Sequence, residues 1–289
     1  MADFESEYTH IRDGGRSFYA QKRGLIEVWG SEAIQFLNGL ITNDIEALQD
    51  GAEMKAAFPN AKGRLLAVVR VLRKADRYFF ETEEATYETV YENLFRFTMA
   101  GDFKVEDRSS DFTFVSLWNT DELEHEQDVL SFGRDVFVPN EQFEAFRANL
   151  LALPISESVY ETIRIEEGIP LYGKDMDETT VVPETNIEGL VHYQKGCYIG
   201  QEVIARIHFL GKPAKLLKGL EFKGEVEIGS DELLNDEGKG AGKITSVVYS
   251  PKLEKTIAFG YVRNAFSKEG TELIAGELSC KVKDLPFLD

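Results

Sequence analysis

Cysteine is nearly missing from this 289-residue chain: Cys197 and Cys280 are the only two. Two thiols do not make a disulfide framework. They also fall short of a resident iron–sulfur cluster, which takes about four protein thiolates or imidazoles. Histidine is as sparse, and His10, His125, His192 and His208 show no metal-ligand spacing with the cysteines. Positive charge is the next shortage: 32 Lys and Arg stand against 51 Asp and Glu, a net charge of −19 at pH 7. Non-specific nucleic-acid binding needs a positive surface, so no stable nucleic-acid partner is expected, although a local basic patch is compatible with that sum. No apolar run approaches the ~18 residues of a membrane-spanning helix. The acidic start, Met1 to Glu7, lacks the basic-then-apolar pattern of a signal peptide and the arginines of a transit peptide. No phosphate loop, dinucleotide fingerprint, internal repeat or low-complexity tract occurs. Together these absences predict a soluble, cytoplasmic protein with no membrane partner.

What is present is a core. Apolar residues make up 43% of the chain, ample for one large or a few small domains. Leu25 to Trp29 predicts a strand. Ser31 predicts the cap of a helix carrying Ile34, Leu37 and Ile41. Leu65 to Leu72 and Arg77 to Glu81 predict two strands about a polar turn. Tyr87, Val90, Tyr91, Leu94 and Thr98 recur at helical spacing. Phe103 to Glu106 and Phe112 to Trp118 predict strands again. Asn140 predicts the cap of a helix through Leu151, and Ser156 that of a third helix, stopped by Gly168-Ile169-Pro170. This order fits an α+β region with antiparallel sheets. After about Lys212 helical periodicity gives way to period two, as in Ile257, Phe259 and Tyr261. Glycine turns such as Gly238-Lys239-Gly240-Ala241-Gly242 separate the runs, which predicts a small barrel. The expected division is an α+β region over 1–211 and a C-terminal β-barrel over 212–289.

The densest stretch is Lys195-Gly196-Cys197-Tyr198-Ile199-Gly200-Gln201-Glu202. Gly196 and Gly200 allow tight turns and close ligand approach. Gln201 and Glu202 open an apolar-periodic segment that reads as a helix. Cys197 thus precedes a helix N-terminus, where an anion is favoured, and Lys195 would favour the thiolate if its ammonium folded back to the sulfur. An incidental cysteine in a glycine-bounded turn is the alternative on these residues alone. His192 and His208 flank the stretch and either orient it or are ordinary turn histidines.

K-G-C-Y-x-G-Q-E resembles the signature of the YgfZ-type folate-binding proteins of iron–sulfur protein maturation, relatives of the aminomethyltransferase (T-protein) of glycine cleavage. Three further segments resemble that family in order and spacing. They are Phe36 to Asp44 (F-L-x-G-x-x-T-x-D), the basic turn Lys62-Gly63-Arg64, and Arg164-Ile165-Glu166-Glu167-Gly168-Ile169-Pro170 with Pro183-Glu184 after it. The resemblance implies a folate-binding α+β region of ferredoxin-like sheets followed by a β-barrel. It assigns pterin recognition to Glu166 rather than Glu167, because Glu166 lies two after Arg164 and two before Gly168. One carboxylate can accept both pterin donors in a fork. Lys62, Arg64, Arg70 and Arg73 would suit the glutamate tail of folate, with Arg64 favoured; a charged strand edge is the other reading. One departure is informative. The aminomethyltransferases carry paired aspartates after the central glycine turn, where this chain has Leu65-Leu66-Ala67. Apolar side chains cannot accept the transferred proton.

The expectation is a tetrahydrofolate-binding accessory protein, with folate and iron–sulfur client or assembly proteins as partners. Glu166, Arg164 and Arg64 would hold folate. Cys197 and Lys195 would be the reactive pair, with Gly196, Tyr198, Gly200, Gln201 and Glu202 shaping the site. The alternatives are a folate-dependent aminomethyl transferase and a thiol-based interaction module without folate.

Overall fold

A computed structural model describes residues 4–120 and 128–288. His125 and Met1 to Asp3 lie outside the described residues. Two compact units divide the chain, and they interleave along it. The first comprises Met1–Phe58, Leu66–Tyr160 and Gly189–Ile199; the second comprises Pro59–Leu65, Glu161–Glu188 and Gly200–Asp289.

In the first unit the order is α1 (Phe4–Arg12), β1 (Ser17–Gln21), β2 (Arg23–Trp29), α2 (Ala33–Leu40), β3 (Glu53–Pro59), β4 (Leu65–Lys74), β5 (Arg77–Glu83), α3 (Tyr87–Phe95), β6 (Lys104–Asp107), β7 (Phe112–Trp118), β8 (Leu130–Phe132), β9 (Asp135–Pro139), α4 (Phe143–Leu150) and β10 (Leu153–Pro154). Two five-stranded sheets result, β3-β4-β5-β2-β6 and β10-β1-β7-β9-β8. Pairing is antiparallel within both, apart from the short parallel pair β1–β10. On β4 the alternation is direct: Leu65, Ala67, Val69 and Val71 are buried, and the residues between them are half-buried. That is the period of two expected of a sheet with one covered face. Ile26, Val28, Val69 and Phe80 meet Leu37 and Ile41 of the α2 segment and Val90 and Leu94 of α3 in one core. A second cluster joins Leu25, Leu72 and Phe79 of one sheet to Phe114, Phe132 and Phe137 of the other. Each such buried side chain contributes roughly 1.5–3 kcal/mol.

Two of the three predicted caps fail because the side chain has another partner; Ser156 does stand directly before the helix that opens at Glu157, and its carbonyl accepts from Tyr160 N–H at 3.1 Å. Ser31 donates both its N–H and its hydroxyl to Asp102 Oδ2, at 2.9 and 2.8 Å, and Glu32 takes the cap position without a side-chain bond. The Asn140 amide donates to the Ser110 carbonyl at 2.7 Å, and α4 is capped by Gln142. The Ser156 hydroxyl donates to Glu7 at 2.6 Å.

The second unit carries most of α5 (Glu157–Glu166), then α6 (Gln201–Leu210) and β11 (Lys215–Phe222), β12 (Glu232–Leu234), β13 (Gly240–Ser250), β14 (Lys255–Arg263), β15 (Glu272–Ala275) and β16 (Leu278–Lys283). These six strands close in the order β11-β14-β13-β12-β15-β16, with β16 returning to β11. Closure removes unpaired sheet edges. Leu220, Phe222, Leu233, Leu273, Cys280 and Val282 fill the interior. Cys280 is buried, as its alternating strand predicts, and burial pushes its thiol up to about 12. No described helix is long and apolar enough to cross a membrane.

Candidate functional site

The cysteine loop belongs to the first unit, and the Phe36–Asp44 segment frames it. α2 ends at Leu40, which leaves last-turn carbonyls without intrahelical donors. The ammonium of Lys195 supplies them. Its Nζ donates to the carbonyls of Asn38 (2.9 Å), Ile41 (2.9 Å) and Asn43 (2.6 Å). A cation at a helix C-terminus also suits the macrodipole. Lys195 is buried, and desolvation lowers it to about 8 against the raising effect of Asp44. Its three N–H donors are therefore spent on the last turn of α2 and the segment just after it, not turned back to the sulfur. The loop is tied down elsewhere as well. The Thr42 hydroxyl donates to the Leu190 carbonyl at 2.6 Å and accepts from Ala57 N–H at 2.8 Å. Asn43 Nδ2 donates to the Lys55 and Gly189 carbonyls, and Ile199 N–H donates to the Gly39 carbonyl at 3.1 Å.

Within that frame Gly196 and Cys197 are exposed. Tyr198 is buried next door, with Lys195 Nζ 5.4 Å from its ring centroid. The Tyr198 hydroxyl makes no hydrogen bond among the described residues, and burial pushes it up to about 12. Cys197 is thus held out to solvent between two buried anchors. Because Cys280 is enclosed in the barrel and Cys197 is exposed, a limiting alkylating agent at neutral pH should modify Cys197 almost alone. Peptide mapping of labelled native protein reads this directly. Comparable labelling of Cys280 would mean that the barrel opens.

The second unit holds the rest of the predicted site. Gly200 is in the left-handed region at φ +79° and caps α6 without a side chain, so Gln201 opens the helix and the exposed Glu202 sits in its first turn. A Cβ at Gly200 would stand 2.4 Å from the Asn60 carbonyl oxygen, and one at Gly63 would press on Val203 at 3.1 Å. The glycines of the basic turn and of the cysteine motif therefore pack the 60–64 turn against α6. Asn60 Oδ1 closes that turn by accepting from Lys62 and Arg64 N–H at 2.9 and 3.2 Å. The Lys62 and Arg64 side chains are exposed. Arg70 and Arg73, in the first unit, are engaged: Arg70 with Glu81 (2.8 Å) and Asp135 (2.7 Å), Arg73 with the Leu48 carbonyl (2.8 Å).

Arg164 is among the largest fully buried side chains. Nε and Nη2 fork onto Glu161 at 3.0 and 2.8 Å; Nη1 donates to Asp175 (2.9 Å) and the Ile169 carbonyl (3.1 Å); Nη2 reaches Ser246 (3.2 Å). These use all five guanidinium donors. Arg164 therefore frames the neighbourhood and has no donor left for a ligand. Glu166 is fully buried, its Oε1 accepts from the Ser250 hydroxyl, and its carbonyl accepts from Phe287 and Leu288 N–H. Sequence reading missed the roles of Asn38, Thr42 and Asn43. Their signal was the Phe36–Asp44 pattern, which gives no hint of its partners.

The family of the glycine cleavage T-protein C-terminal barrel domain matches residues 215–289. An iron–sulfur cluster assembly factor homolog, mitochondrial, of Mycosarcoma maydis is 26% identical over 223 residues, covering 69% of this chain and 55% of its own length. An aminomethyltransferase of Thermoanaerobacter pseudethanolicus is 23% identical over 309 residues, covering 93% of this chain and 83% of its own. A "tRNA-modifying protein YgfZ" of Colwellia psychrerythraea is 23% identical over 240 residues and covers 74% of each. The crystal structure of the glycine cleavage system aminomethyltransferase T from Bartonella henselae superposes with a TM-score of 0.88 at 20% identity, covering 99% of this chain and 89% of that one. The mixed α+β fold with a closed C-terminal barrel is thus that of the aminomethyltransferases.

Proposed function

Since this chain is a relative of the YgfZ-type proteins and the aminomethyltransferases, we propose that it is a tetrahydrofolate-binding accessory protein for the maturation or repair of iron–sulfur enzymes. The observation that carries the reading is the presentation of Cys197, exposed between the buried anchors Lys195 and Tyr198. The Mycosarcoma relative's name supports the iron–sulfur role, and the aminomethyltransferases support folate. Folate lies in the region 1–211, ahead of the barrel at 212–289. Glu166 accepts the pterin donors, Arg164 fixes its neighbourhood, and Arg64 meets the glutamate tail. Lys195 acts on the thiol as a positioning residue, by fixing the loop that carries it. Bound folate would supply a one-carbon carrier or a sensor of one-carbon status. The partners are iron–sulfur clients or assembly proteins, and the compartment is the cytoplasm.

The test is folate binding. Tetrahydrofolate or its 5-formyl derivative should raise the melting temperature, because a ligand of the folded state alone stabilises it. Glu166→Gln places a donor against a donor and should weaken binding by roughly 2 kcal/mol or more. Ser250→Ala controls for the lost hydroxyl contact. Affinity unchanged within about twofold removes Glu166 from the site. Turnover with an aminomethyl donor would instead favour the transferase reading, which Leu65-Leu66-Ala67 argues against.

A further inference from the structure

Gly240 and Gly242, on β13, line a cavity of about 740 Å³ in the second unit. Its other walls are the 173–180 loop, β12 and the ends of β11 and β14. That volume is typical of small-molecule sites. Gly240 leaves it open. A Cβ at Gly240 would come 3.6 Å from Arg263 Nη2, whereas one at Gly242 would collide with the Tyr261 carbonyl oxygen at 2.2 Å, so that glycine serves the close approach of β13 to β14. The Arg263 guanidinium thus lies beside bare backbone. Two register shifts flank the cavity, at Leu233/Leu234 and at Ile244/Ser246. Bulges of this kind re-aim side chains and recur beside binding sites. The second frees Thr245 from the ladder, and its hydroxyl donates to Asp175 at 2.7 Å.

The charges lining the cavity do not cancel pairwise. Asp175 accepts from Arg164, Thr245, Ser246 and Leu171 N–H. Asp231 pairs with Lys243 at 3.0 Å, and Lys174 with Glu161 at 2.9 Å. Asp177 is held below the usual carboxylate range, first by the Thr179 hydroxyl and then by Thr179 N–H and Lys215. Glu232 is exposed. Lys215 and Arg263 remain. They are direct cross-strand partners on β11 and β14, where like charges repel. Among the described residues neither side chain makes a hydrogen bond or an ion pair. The Lys215 ammonium instead sits 4.2 Å over the Tyr261 ring. Lys215 lies in the field of Asp177, yet among the described residues no carboxylate stands at ion-pair distance from either cation, which leaves the adjacent pair able to take an oxyanion.

We propose that this cavity binds a small molecule bearing an oxyanion, a carboxylate or a phosphate, clamped between Lys215 and Arg263. The site goes beyond the folate reading and does not use Glu166. Isothermal titration of the full chain tests it with two probes, inorganic phosphate and the dicarboxylate γ-glutamylglutamate. Saturable binding of either probe is expected, and the one bound more tightly identifies the source of the oxyanion. Lys215→Met with Arg263→Met should weaken that binding about tenfold or more, because charge-assisted bonds are lost on both sides. Lys281→Met, an exposed barrel lysine outside the cavity lining, should bind as the wild type does. Glu166→Gln should also keep oxyanion affinity while losing folate, which separates the two readings. Gly240→Ala fills the cradle where no positive φ is needed, and it should weaken binding without unfolding the barrel. Absence of saturable binding for both probes overturns the proposal. So does retention of wild-type affinity in the double variant.

Discussion

Arg164→Met should cost about 3–5 kcal/mol of stability, the largest loss expected of any single change to the site region. The mechanism is an abandoned charge. The Asp175 side chain is wholly buried and opposes Arg164 Nη1 at 2.9 Å. Methionine has about the right length but offers no donor. Asp175 would then sit out of water with two hydroxyls and one backbone N–H as its remaining partners. Glu161 would lose the fork as well, though it keeps Lys174 at 2.9 Å. Urea denaturation of the purified protein measures the loss, and an unchanged slope would place it in the folded state. A loss below about 1 kcal/mol would reduce the pair to the value of a surface salt bridge. Arg164→Lys should recover little, because a point charge cannot serve the Glu161 fork and Asp175 together.

Cys197→Ser should abolish restoration of iron–sulfur enzyme activity in cells that lack the protein, yet leave the melting temperature within about 2 °C. The small stability effect follows from exposure: an exposed side chain takes no core contact with it. The functional loss follows from chemistry, since a hydroxyl is a far weaker nucleophile and metal ligand than a thiolate. Cys280→Ser should behave in the opposite way. It buries a hydroxyl in the barrel interior, costs about 1–3 kcal/mol, and still complements. Full complementation by Cys197→Ser would make the motif a structural turn and end the thiol mechanism, whatever folate does.

The parts of this fold that were legible in sequence are those written in local periodicity. β4 shows its period of two and α3 its helical spacing, whereas β14 is buried on both faces, and of the Gly238–Gly242 run only Gly238 lies in the turn, Gly240 and Gly242 being in β13. Two of the caps were not legible, because Ser31 and Asn140 spend their side chains on the distant Asp102 and Ser110. In the candidate site the same limit applies. Proximity in sequence suggested that Lys195 serves Cys197, two residues away. Its three acceptors lie more than 150 residues upstream, and no local pattern names them. Glycine was the better guide. Gly63 and Gly200 were picked out by spacing, and the structure gives each a steric reason.

The interleaving of the two units has a bearing on how the chain is made. The polypeptide passes between them at Phe58/Pro59, Leu65/Leu66, Tyr160/Glu161, Glu188/Gly189 and Ile199/Gly200. The cysteine motif itself straddles the last of these. During synthesis the first unit therefore lacks the 189–199 loop, and with it the Lys195 donors for α2, until more than two-thirds of the chain has left the ribosome. Both sheets and the cores of the first unit are nevertheless complete by Pro154, so that unit can assemble early and receives its cysteine loop late. The carbonyls of Asn38, Ile41 and Asn43 therefore wait for the donors of a lysine made more than 150 residues later.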